Sequence, residues 1–257
     1  MIRIEKLKFS YGKKEKNIFE NLSFQFSKGF NVILGPNGAG KSTLMKSIFG
    51  LLDSRGYIFY GLENITKMNN EEKIELMSYL PQMDLDNSNL TVLEMVLLGR
   101  LPSLTSRVSD EDLNIVMETL ISLNIANLAT NIFTQLSGGQ KKLVFIAQTL
   151  VRYPKILLLD EPTNSLDLKK QLELCHLLKK ISHERDIDLI VILHDINLAI
   201  SYADYIVILS ENGKLYSTGK PKEVVTEKML EEVYGIEAKI IYNEEKPVII
   251  AKNSIIK

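Results

Sequence analysis

Residues 30–43 read "FNVILGPNGAGKST", and this stretch decides the fold. Its first five residues form a short apolar run, as a buried strand would. Gly35 to Thr43 then match G-x-x-x-x-G-K-[ST], and "KSTLMKSIFGLL" continues at helical spacing. A strand running straight into a Gly-rich turn and then a helix is the context this motif requires. The glycines let the backbone turn tightly, so that successive N–H groups point at phosphate oxygens, and the helix N-terminus adds partial positive charge. Gly35, Pro36, Asn37, Gly38, Ala39, Gly40, Lys41, Ser42 and Thr43 are therefore candidate nucleotide-binding positions. Lys41 is expected to reach the outer phosphates and the Ser42 hydroxyl to coordinate Mg²⁺.

Outward from this loop, the chain alternates strand and helix signals. Residues 2–9, "NLSFQFSKG" and "GYIFYG" read as half-buried strands, which predicts an antiparallel β layer near the N-terminus. Residues 91–100, 109–126 and 139–152 read as helices separated by Pro, Ser and Asn. "KILLLDEP" and "DLIVILHD" are buried strands with the amphipathic stretch 168–183 between them, and "YIVILSENGKLYSTG" is a hairpin turning at Asn212-Gly213. The pattern predicts an α/β fold, a P-loop NTPase with a parallel core, an N-terminal antiparallel layer and a helical insert at about 86–150. The tail from 221 to 257 is charged and Ile-rich, and its pattern assigns it no role.

Composition removes several alternatives. With 31 basic and 32 acidic residues among 257, bulk charge gives no support to nucleic-acid binding. One cysteine cannot form an internal disulfide, and three histidines without a cysteine cluster do not suggest a structural zinc site. The start "MIRIEKLKFSYG" interleaves charges where a secretion signal has an apolar core. The apolar runs are far shorter than the roughly 20 residues that span a bilayer. A soluble protein inside the cell is the expectation, with any membrane contact made through a partner.

A second constellation follows the first. Asp160 and Glu161 close the "ILLLDEP" strand at its C-terminal edge, where ligands bind in open parallel sheets. Asp160 is placed to hold Mg²⁺ through water, and Glu161 to polarise an attacking water. His194 ends the "VILHD" strand, where it would donate to a γ-phosphate. Gln82, in "YLPQ", is a further candidate contact for Mg²⁺ and the water. His176 and His183 lie on the amphipathic stretch and receive no role.

"GPNGAGKST", Gln82, "LSGGQ" at Leu136–Gln140, "LLLDEP", "SLD" at 165–167 and His194, in this order, resemble the ATP-binding-cassette (ABC) ATPases over about residues 1–225. The resemblance implies that two ATP-binding subunits pair head to tail, each ATP lying between the P-loop of one and the signature of the other. Ser137, Gly138, Gly139 and Gln140 would then face the partner's ATP, and Asp167 would lie at the junction. Tyr11, in "FSYG", matches the family's adenine-stacking aromatic residue. Glu161, His194 and Gln82 would carry catalysis, with Ser42, Gln82 and Asp160 on Mg²⁺. One departure follows the signature: "KKLVFIAQTLV" has Gln148 where many relatives carry arginine.

The stretch between Thr43 and Leu136 is too short for the coiled-coil insert of repair and chromosome ATPases, and one cassette per chain differs from the translation type. "LTVLEMVLLGRLPS", "SLDLKKQLEL", "LHDINLAISYADYIVIL" and "TGKPKEVVTEKMLEEVYGI" look like the importer ATPases for iron–siderophore, haem or cobalamin. A zinc or manganese importer and a soluble non-transport ATPase are the alternatives. The resemblance implies an ATP-bound homodimer on the cytoplasmic face of the membrane. Two membrane-spanning permease subunits would dock near Gln82 and residues 86–103. The expected division is an ATPase domain at 1–225 and a C-terminal extension at 226–257, packed on or near the core.

Overall fold

The computed structural model describes residues 1–12, 17–82, 88–104, 107–243 and 246–255. Parts of the expected insert (86–87 and 105–106), of the docking stretch (86–87) and of the tail (244–245 and 256–257) lie outside the described residues. The chain forms two compact units, Met1–Lys73 with Asp188–Lys257, and Ile74–Ile187.

The first unit begins with β1 (Ile2–Phe9), β2 (Phe19–Gln25), β3 (Phe30–Leu34), α1 (Lys41–Phe49), β4 (Arg55–Tyr60) and β5 (Glu63–Asn64). Strands β2-β1-β4-β5 make the antiparallel layer that the alternation predicts. In β1 the apolar residues Ile2, Ile4, Leu7 and Phe9 are buried while charged neighbours face outward. After α2 (Asn70–Leu76), the second unit holds β6 (Met77–Leu80), α3 (Val92–Leu97), α4 (Asp110–Ser122), α5 (Gly138–Leu150), β7 (Ile156–Asp160) and α6 (Leu168–Glu184). Here β6 and β7 pair in parallel.

The chain then returns to the first unit with β8 (Asp188–Ile192), α7 (Ile196–Tyr202), β9 (Tyr205–Leu209), β10 (Leu215–Gly219), α8 (Pro221–Val224), α9 (Glu227–Tyr234), β11 (Ile236–Asn243) and β12 (Lys246–Ser254). β3 runs parallel to both β8 and β9, and β10 closes antiparallel on β9 through a turn with Asn212 and Gly213 at positive φ. All five residues of β3, of β7 and of β8 are buried. Strands covered on both faces read as unbroken apolar runs, and each buried Val, Leu or Ile stabilises the core by about 1.5–3 kcal/mol.

One expectation changes, and the tail, left without a role by its pattern, gains a description. The helix read at 91–100 ends at Leu97 and continues as a 3-10 segment, Leu98–Ser103. Gly99 passes so close to α5 that a Cβ there would lie 2.2 Å from the Gln148 carbonyl oxygen, and Pro102 removes a donor from the same segment. The tail is ordered structure: α9 is capped by Thr226 and ends at Gly235, and β11 and β12 form a hairpin. Asn197 on α7 holds that hairpin, accepting from the Ile249 amide at 2.9 Å and donating to its carbonyl at 3.3 Å.

Candidate functional site

In the first unit, Gly35–Gly40 link β3 to α1, as the motif requires. Gly40 sits at φ 87°, where a Cβ would approach Ile18 to 2.9 Å, so glycine is needed for both conformation and space. It caps α1 without any side-chain hydrogen bond. Four other helices start under a side-chain cap: Thr91 for α3, Ser109 for α4, Ser137 for α5 and Asp167 for α6. An α1 start with no such cap presents its first N–H groups to an anion. Lys41 is buried beside it, its Nζ 2.7 Å from the Gly35 carbonyl and 2.9 Å from that of Pro36. These residues fit a nucleotide's phosphates.

Tyr11 is 58% exposed, and its hydroxyl lies 3.0 Å from Thr43 Oγ1 at the start of α1. Its ring meets Phe9 edge-on at 4.9 Å. The ring is thereby held beside the phosphate loop with a face available for stacking. His194 is exposed after β8, one residue before Asp195, which caps α7. Tyr234 on α9 also reaches the loop: burial pushes its hydroxyl up to about 12, and a hydrogen bond from the Gly35 backbone works against that rise.

In the second unit, Gln82, Asp160 and Glu161 come together around a cavity of about 250 Å³ that Lys142 and Asn164 also line. Gln82 Nε2 donates to Glu161 Oε2 at 3.0 Å, and the Asn164 side-chain amide donates to the same oxygen. Asp160 is buried at the end of β7 and accepts from the Tyr79 hydroxyl at 3.2 Å. Ser42 in one unit, and Asp160 and Gln82 in the other, carry oxygen donors of the hard kind that Mg²⁺ takes. The partners Tyr79, Lys142 and Asn164 escape sequence reading. Only Asn164, three residues beyond Glu161 in the same turn, carried any positional hint.

The signature is a helix start. Ser137 Oγ accepts from the Gln140 amide at 3.4 Å while Gln140 Oε1 accepts from the Ser137 amide at 2.9 Å, a reciprocal capping box. Ser137 and Gly138 are exposed, whereas Leu136 is buried and anchors the loop. Gly139 lines a second cavity of about 550 Å³ with Lys142, Lys170 and His176. Asp167 caps α6 through the Lys170 amide at 3.0 Å, and that hydrogen bond, followed by the pairing with the Lys170 ammonium, lowers its pKa.

A sequence profile of the family described as ABC transporter matches residues 19–164. The chain is 36% identical over 244 residues to the ferric enterobactin transport ATP-binding protein FepC of Escherichia coli, covering 93% of this chain and 89% of that one. A solved ABC transporter of the metal-chelate type, in an inward-facing conformation, superposes with a TM-score of 0.83 at 25% identity, over 98% of this chain and 97% of its own. A bacterial ABC transporter cassette solved as a dimer superposes at 0.73 and 28% identity, over 86% and 99%. With a profile match across more than half its length and a relative this similar along nearly all of it, the chain belongs to the ABC transporter family, as one of its ATP-binding, ATP-hydrolysing subunits.

Proposed function

We propose that this chain drives import of a metal chelate, of the iron–siderophore kind, through two separate membrane-spanning permease subunits, and that it acts as an ATP-dependent homodimer. The observation that carries the reading is that a phosphate loop and an exposed signature helix start occur in one chain whose relatives include a ferric enterobactin transport protein and a metal-chelate type transporter. Residues 1–225 serve as the ATPase domain and 226–257 as an extension on it.

In each copy, the α1 start and Lys41 hold the phosphates, and Tyr11 stacks on adenine. Ser42, Asp160 and Gln82 would hold Mg²⁺, which would supply positive charge to neutralise the phosphates. Glu161 polarises the attacking water, and His194 donates to the γ-phosphate. Ser137, Gly138, Gly139 and Gln140 receive the second copy's ATP, with Asp167 at the junction. A head-to-tail pair uses each loop of each copy once, in two equivalent sites, as two-fold symmetry requires. Among the described residues no helix is long and apolar enough to cross a membrane. Attachment at the cytoplasmic face then runs through the permeases, docked near Gln82 and residues 86–103, where Leu98 and Leu101 are exposed.

The test is to tag the chain at its C-terminus, solubilise native membranes in mild detergent and identify what co-purifies. A polytopic membrane protein in equal amount is the expected result. Recovery from the soluble fraction alone, with ribosomes or DNA-associated proteins, would refute import.

A further inference from the structure

The turn after β7 is built from conformations that side-chain-bearing residues adopt at a cost: Glu161 has φ 54° and Ser165 φ 63°. Such a turn persists only where its surroundings fix it. Within it, the Asn164 amide donates to the Glu161 carbonyl at 3.2 Å and the Leu166 amide to the Thr163 carbonyl at 3.2 Å. Gln171 on α6 reaches back to the Thr163 carbonyl at 3.3 Å. From α5 the tie is Lys142, whose ammonium donates to the Asn164 carbonyl. Asn164 in turn donates its side-chain amide to Glu161 Oε2, the oxygen that Gln82 also engages. Lys142 is half-buried: burial pushes its ammonium pKa down, and the nearby Glu161 carboxylate holds it back up.

We propose that Lys142 is a positioning residue, which pins the Glu161–Asp167 turn, and through Asn164 the Glu161 carboxylate, to the helix that begins at the signature. It acts through Asn164 and Glu161. The chemistry suits lysine, whose flexible stem carries a charged donor across a half-buried gap to a backbone carbonyl. One consequence is mechanical. The same helix presents Ser137 at one end and grips the Glu161 turn five residues later, so a shift of the signature is transmitted to the water-polarising carboxylate. The inference rests on the reading of Glu161 proposed above.

The experiment is steady-state ATPase kinetics on Lys142→Met, Lys142→Arg and Glu161→Gln, with melting temperatures measured on the same samples. Lys142→Met keeps the stem and loses the donor. Its kcat should fall about ten- to hundredfold, the cost of a slightly misplaced group, with KM for ATP within about twofold and the melting temperature unchanged. Lys142→Arg, which keeps a charged donor, should recover most of kcat. Wild-type kcat in Lys142→Met while Glu161→Gln is inactive would overturn the role of Lys142 alone. Undiminished turnover in Glu161→Gln would instead remove the reading of Glu161, and the proposal with it. A fall of kcat in Lys142→Met that tracks a fall in melting temperature would reduce Lys142 to a structural part and also overturn the proposal.

Discussion

The phosphate loop and the signature loop look alike on paper, since each places glycines and a serine at the start of a helix. In the structure they are opposites. The phosphate loop turns through positive-φ glycines, buries its lysine against its own carbonyls and leaves the α1 start without a side-chain cap. The signature has no positive-φ glycine, caps its own helix reciprocally through Ser137 and Gln140, and holds Ser137 and Gly138 at the surface. The first is a cradle that one copy shapes for itself. The second is a finished helix end turned outward, which suits a ligand brought by another molecule. On the proposed reading, that difference is why one chain carries two phosphate-directed loops.

If the two loops play these separate parts, damage to them should separate binding from turnover. Ser137→Arg should lower ATP turnover by about a hundredfold or more while ATP binding, measured by equilibrium titration, stays near wild type. Unchanged turnover would end the trans-acting role of the signature. Tyr11→Ala works on the other loop and should do the reverse, weakening ATP binding first. Loss of a base–aromatic stack is worth about 1–3 kcal/mol, roughly five- to hundredfold in Kd. Tyr11→Phe should lose much less, because only the Thr43 hydrogen bond goes. Equal effects of the two substitutions would mean that the hydroxyl, and not the ring, does the binding.

The smallest effect concerns α4, in the same unit as the signature. Asp112 is drawn down to about 2 by the Ser109 hydroxyl and amide and then by Arg100, whose Nε lies 2.7 Å away. A carboxylate depressed below its ordinary value of about 3.9 adds stability that is complete above that pH and is lost as pH falls through about 2. Thermal unfolding from pH 5 to pH 2 should therefore show wild type and Asp112→Asn converging at the acid end. A gap that stays constant across this range would show that the charge on Asp112 contributes nothing.

Legibility in the sequence followed the range of the interactions. The phosphate loop and the Asp160-Glu161 pair are local patterns, set by a few consecutive residues, and the strand–loop–helix and the strand end stand where the spacing places them. The buried strands are legible because a strand covered on both faces is a nearly continuous apolar run. What escaped depends on distant partners. Lys142 finds Asn164 across 22 positions, and Asn197 finds Ile249 across 52. Nothing near the tail announces that its hairpin will rest on α7. Gln148, a departure from the family pattern, acquires its role the same way, donating to the Met95 carbonyl at 3.0 Å. The positive φ of Glu161 and Ser165 is equally silent, since neither residue type favours it.

The central claim is that the two loops complete one site only when two copies meet around ATP. Light scattering on Glu161→Gln, with and without Mg-ATP at micromolar protein, tests it most directly. Doubling of the mass on adding Mg-ATP, and a return to monomer when the nucleotide is removed, is the predicted result. A monomer that carries bound ATP would contradict it.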